Sequence, residues 1–176
     1  MSGRPVMTFF PQTRLAELAA RPGGIMRDIA VENALKHIES MRGEGNEAIA
    51  RLMEEIEAVL SAASGGKLSA DQMRAILRTA DQVVTLAGTF GYDAFGRVMK
   101  SLCDVADGML HSGLAEAAPI AVHVRSMRLV APGSTQLSSA EIETVLAELS
   151  KVLAHYNLNS IAAQSDGAAD GVFAAR

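Results

Sequence analysis

Apolar residues recur along most of this chain at intervals of three and four, the repeat that lines one face of an α-helix. The first stripe takes in Val31, Ala34, Leu35, Ile38, Met41, Ile49, Leu52, Met53, Ile56, Val59 and Leu60. It keeps its phase across Gly43 and Gly45, so one continuous helix of about 35 residues, over 28–62, is expected. The two glycines weaken that helix by roughly 1 kcal/mol each relative to Ala. Ser64-Gly65-Gly66-Lys67 ends it. Ser69, with Gln72 three residues on, has the spacing of a capping box, and it leads the stripe Met73, Ile76, Leu77, Ala80, Val83, Val84, Ala87. Gly88-Thr89-Phe90-Gly91 reads as a tight turn. Asp93 then caps a helix over 94–111 with Phe95, Val98, Met99, Leu102, Val105, Ala106 and Met109 inward. Pro119 suits the first turn of the next helix, which runs to about residue 130 and buries Ile120, Val124 and Met127. Ser138 and Glu141 form a second capping box, for a last helix over 139–156.

These stripes predict an all-α fold, an antiparallel helical bundle with one unusually long N-terminal helix. The organisation expected is an arm over 1–24 with a short helix at 12–20, a bundle over 25–156, and a tail over 157–176. That tail is small and polar, without a period to bury. At 1.5 Å per residue the long helix spans about 50 Å against about 28 Å for its neighbours. Its apolar stripe outruns what they cover. Either a second subunit buries the excess or the helix breaks near Gly43. The first alternative gives a homodimer whose face centres on Ile38, Ile49, Leu52, Met53 and Ile56.

Composition narrows this further. Hydrophobic residues make up 49% of the chain and aromatics only 4%, with no Trp. That is enough apolar material for a core and too few aromatic residues to favour sheets. No uncharged apolar run reaches the ~18 residues of a membrane span, and the N-terminus lacks a signal-peptide pattern, so a cytoplasmic protein without a membrane partner is expected. The net charge of −4 is carried by an acidic segment over 25–62, which argues against nucleic acid as a partner. Cys103 stands alone, so there is no internal disulfide and no cysteine cluster for a metal.

The candidate chemistry is sparse. His37, His111, His123 and His155 are scattered and form no His-x-x-x-His or Glu-x-x-His pair. His123 lies at the edge of the Ile120/Val124/Met127 stripe and reads as a core-edge histidine. Cys103 reads as packing. There is no Gly-x-Ser-x-Gly elbow and no phosphate loop with Lys-Ser/Thr. No catalytic residue, metal or cofactor is expected.

One stretch resembles a family. Ala80-Asp81-Gln82-Val83-Val84-Thr85-Leu86-Ala87-Gly88-Thr89-Phe90-Gly91 is similar to the core of histidine phosphotransfer (HPt) domains, which read Ala-His-x-Leu-Lys-Gly-x-Ala-Gly-x-x-Gly. HPt domains are helical bundles that relay phosphoryl groups between sensor kinases and receiver domains. The resemblance covers about residues 70–111. It implies an HPt-like bundle, and the departures imply the loss of its chemistry. Asp81 stands where the phospho-accepting His belongs, Val84 where the family has a basic residue, and Thr85 where it has the glycine that leaves room for a partner. Pro22-Gly23-Gly24, the long acidic helix and the Ala87-to-Asp104 run are also similar to the CheE-like chemotaxis proteins of α-proteobacteria. Together these imply a non-catalytic adaptor that docks a receiver domain or a histidine kinase, with Arg74, Arg78, Asp81 and Thr85 as the docking residues. The alternatives are a structural homodimerisation protein and a receiver phosphatase. The second lacks support, because Asp71 and Asp81 are followed four residues on by Ala75 and Thr85 rather than by the Gln of CheZ-type phosphatases.

Overall fold

The computed structural model describes residues 23–134 and 137–158. The arm through residue 22, the short helix expected at 12–20 and the tail beyond Leu158 lie outside the described residues. Six helices are described: α1 (Arg27–Ser40), α2 (Arg42–Ser61), α3 (Ala70–Phe90), α4 (Asp93–Ser112), α5 (Ala118–Val130) and α6 (Ser139–His155). No strand occurs among the described residues, and none of these helices is long and apolar enough to cross a membrane.

The chain divides into two compact units, Met1–His37 and Ile38–Arg176, with the boundary inside α1. In the first unit, Lys36 pairs with Glu32 one turn earlier along α1, while Ile29, Val31 and Leu35 are exposed.

The second unit holds the bundle. The helix expected as one element over 28–62 is divided at Met41, two residues before Gly43, so the alternative of a break near Gly43 is the one the structure has. Met41 N–H bonds to Ile38 O at 3.1 Å, an i−3 bond that tightens the turn, and its carbonyl accepts from Gly45 N–H at 2.9 Å. Gly43 and Gly45 both lie within α2. α2, α3, α4 and α5 pack in succession, and α5 returns to α2, so the four close a ring. α6 packs on α4 and α5. α4 is the central element because its buried stripe is the fullest. Phe95, Val98, Met99, Leu102, Val105, Ala106 and Met109 are all essentially inaccessible, as the spacing predicts. Met73, Ile76, Ala80, Val83 and Ala87 of α3 and Ile120, Val124 and Met127 of α5 face the same core.

Both capping boxes form. Ser69 Oγ accepts from Gln72 N–H while Gln72 Oε1 accepts from Ser69 N–H, and Ser138 and Glu141 repeat the arrangement. Asp93 is the first residue of α4 rather than its cap. Tyr92 holds the cap position and makes no side-chain capping bond. α3 runs through Gly88 and Thr89 to Phe90, so the turn is confined to Gly91 and Tyr92.

Three helices end alike. Gly91, Gly113 and Asn157 take left-handed backbone (φ 73, 71 and 56°). The following N–H in each case reaches the carbonyl five residues back, Tyr92 to Ala87, Leu114 to Met109 and Leu158 to Leu153. This satisfies carbonyls that a helix end leaves open. At Asn157 the motif also turns Leu158 inward, where it is 1% exposed and packs against Gly108. Leu158, expected to lie in the tail over 157–176, therefore belongs to the core.

Candidate functional site

Arg74, Arg78, Asp81 and Thr85 are spaced four, three and four residues apart on α3, which places them on one face. All four are exposed, while the opposite face of α3 is buried in the ring. The face is thus presented by a helix that is fixed from behind. Arg74 pairs with Asp71 at 2.8 Å, both being largely solvent-exposed, so the pair holds the guanidinium only loosely. Arg78 has no ion-pair partner among the described residues. Thr85 Oγ1 donates to the Asp81 carbonyl at 3.1 Å, and Thr89 Oγ1 donates to the Thr85 carbonyl at 2.9 Å. The Thr85 hydroxyl is therefore turned back along its own helix.

Asp81 lies on the side of α3 next to α4. Burial pushes the Cys103 thiol of α4 up to about 12, and the negative charges of Asp81, Asp104 and Asp107 add to this against the opposing effect of Lys100. At that value the thiol stays protonated and is no nucleophile. The face therefore carries arginines toward the start of α3 and one carboxylate, Asp81, at its middle, with Asp104 and Asp107 beyond it on α4.

The end of α3 is clasped by α2. Arg42 Nη1 donates to the Phe90 carbonyl at 2.9 Å, capping a helix end where carbonyls gather negative charge. The same guanidinium lies over the Phe90 and Tyr92 rings, 5.9 and 5.4 Å from their centroids. Bonds to Glu39 hold it there and lift its pKa. Tyr92 Oη donates to Asn46 Oδ1 at 2.7 Å. Gly45 makes the approach possible, for a Cβ there would meet Phe90 Cε2 at 2.2 Å. Sequence reasoning missed this clasp. Its one local signal is a glycine inside a helical stripe, which reads equally as a bend.

The dimer-face residues are placed differently from the sequence expectation. Ile49 and Ile56 are 1% and 0% exposed, and Leu52 and Met53 are half-buried against the same core. α3 and α5 cover this stripe, so Ile49 and Ile56 are withdrawn from any surface. Ile38 is half-buried.

His123 is fully buried on α5 with both ring nitrogens bonded. Nδ1 lies 2.9 Å from the Pro119 carbonyl, which only accepts, so Nδ1 carries the proton. Nε2, 3.0 Å from Ser101 Oγ, then accepts from the hydroxyl. Burial lowers its pKa, and the Pro119 bond and Asp104 oppose the shift. This is a neutral, satisfied histidine joining α5 to α4. His111 bonds the Asp107 carbonyl at the end of α4, and His155 stacks edge-on against Tyr156. Among the described residues no three His, Cys, Asp or Glu side chains gather into a metal site. No family model, curated protein or solved structure matches this chain.

Proposed function

We propose that this chain is a non-catalytic signalling adaptor, an HPt-like bundle that docks a response-regulator receiver domain or a histidine kinase in a chemotaxis or other two-component pathway. The observation that carries the reading is the exposed face of α3. It presents Arg74, Arg78, Asp81 and Thr85 from a helix whose other side is locked in the core. It holds a carboxylate where the resembling family holds its phospho-accepting imidazole. Without that imidazole the face binds and does not relay. Arg78, free of any ion pair among the described residues, meets an acidic receiver pocket as a steering charge.

Titration of the purified protein against the receiver and kinase domains of its own organism tests this. A specific complex is expected, with no radiolabel passing from a phosphorylated kinase or receiver to this chain. Arg78→Glu slows association and flattens its salt dependence while leaving dissociation nearly unchanged, as for a charge at the rim of an interface. Acid-labile label on the protein, or binding indifferent to Arg78→Glu, refutes the reading.

A further inference from the structure

We propose that a second copy of this chain docks along the seam between α2 and α5, about a two-fold axis parallel to that seam. The inference concerns a different face from the α3 stripe and does not rest on the adaptor reading.

The ring of four helices closes at this seam, and α6 lies over α4 and α5 instead. Two open hollows of about 310 and 320 Å³ flank the seam, and both include Glu57 and Arg128 in their walls. Their floors are apolar, with Met53 and Pro132 on one side and Leu60 and Val124 on the other. Glu57 and Arg128 pair across the gap through two bonds. The walls are opposite in sign. α2 contributes Glu54 and Glu57, and α5 contributes Arg125 and Arg128. Glu54 and Arg125 have no ion-pair partner among the described residues.

This division of charge selects the occupant. Rotation by 180° about an axis along the seam lays the acidic wall of one copy on the basic wall of the other, at the same height. Glu57 then faces the partner's Arg128, with Glu54 and Arg125 each within about one helical turn of an opposite charge. A two-fold axis across the seam would instead set acid on acid. A face that is acidic on one side and basic on the other is self-complementary in only the first orientation. The half-buried Met53 and Leu60 are covered in the process.

Light scattering on the full chain tests the proposal. The wild type is expected at twice 18.5 kDa at micromolar concentration, falling toward monomer in roughly 1 M salt, where the screening length is about 3 Å. Arg125→Glu touches no intrachain ion pair among the described residues, so helicity is unchanged while the dimer Kd rises about tenfold or more. A chain carrying Arg125→Glu and Arg128→Glu, mixed with one carrying Glu54→Arg and Glu57→Arg, forms a heterodimer although neither pairs with itself. Circular dichroism checks that both are folded. A monomeric wild type, a dimer of unchanged Kd in Arg125→Glu, or a mixture of folded chains that stays monomeric overturns the proposal.

Discussion

Gly45→Ala isolates the contact on which the α2–α3 clasp depends. In an open helix this change stabilises by about 1 kcal/mol, because alanine loses less backbone entropy. Gly43, two residues earlier in α2, supplies the reference, since a Cβ there meets nothing within 4 Å. At Gly45 the same atom would lie 2.2 Å from Phe90 Cε2 and 2.4 Å from Cζ. The ring must move, and it is 7% exposed with Arg42 stacked on it. Displacing it disturbs the bond from Arg42 to the Phe90 carbonyl. Overpacking of this kind costs about 1–3 kcal/mol. Gly45→Ala is therefore expected to fall below Gly43→Ala by about 1–3 kcal/mol, which for a domain of this size is roughly 2–12 °C in melting temperature. Urea unfolding of both variants gives the comparison. Phe90→Leu in the Gly45→Ala background restores part of the loss, because the two changes share one contact and are not additive. Equal stability of the two alanine variants refutes the close approach and the clasp built on it.

Two further outcomes follow from buried groups. His123 has its folded-state pKa lowered from 6.5, so below that value the unfolded chain binds a proton that the folded one excludes. Its contribution to stability is present above about pH 6.5 and is lost as the pH falls toward the folded-state value. Urea midpoints of the wild type should drop between pH 7 and 5 more steeply than those of His123→Gln; parallel curves would refute this. Leu158→Ala removes a side chain that is 1% exposed and should cost about 2–5 kcal/mol in urea unfolding, whereas a loss under about 0.5 kcal/mol would place Leu158 on the surface.

The fold was legible wherever a stripe of apolar residues had both a period and a signalled end. α3 to α6 follow their stripes, and Ser69/Gln72 and Ser138/Glu141 mark two starts because capping is local chemistry between residues three apart. The division at Met41 left no such mark. One tightened hydrogen bond shifts the helical phase too little to interrupt the pattern. Gly45 and Leu158 were illegible for a different reason. Each matters through a residue distant in sequence, Phe90 in one case and Gly108 in the other, and spacing along the chain carries no record of that. Asn157 before Leu158 was the available cue, since asparagine is among the few residues that enter left-handed backbone and close a helix. At the candidate site, the spacing of Arg74, Arg78, Asp81 and Thr85 was enough to put them on one face. The clasp that fixes the end of their helix was not readable, because it is assembled from α2 and the α3–α4 turn.

That surrounding structure bears on whether one substitution can create a phosphoryl acceptor on this face. Asp81→His places an imidazole where the resembling family carries its own, but the environment differs. Phosphoryl transfer to an imidazole needs a cation to offset the developing charge and room for the donor to approach. Val84 supplies no cation for the transferring group, and the methyl and hydroxyl of Thr85 stand where a glycine would leave space. The expected outcome is a variant that folds normally and takes no label from a phosphorylated receiver. Circular dichroism checks the first and a radiolabel assay the second. Label accumulating on Asp81→His at neutral pH would refute this reasoning and show that the face accepts a phosphoryl donor once a nucleophile is supplied.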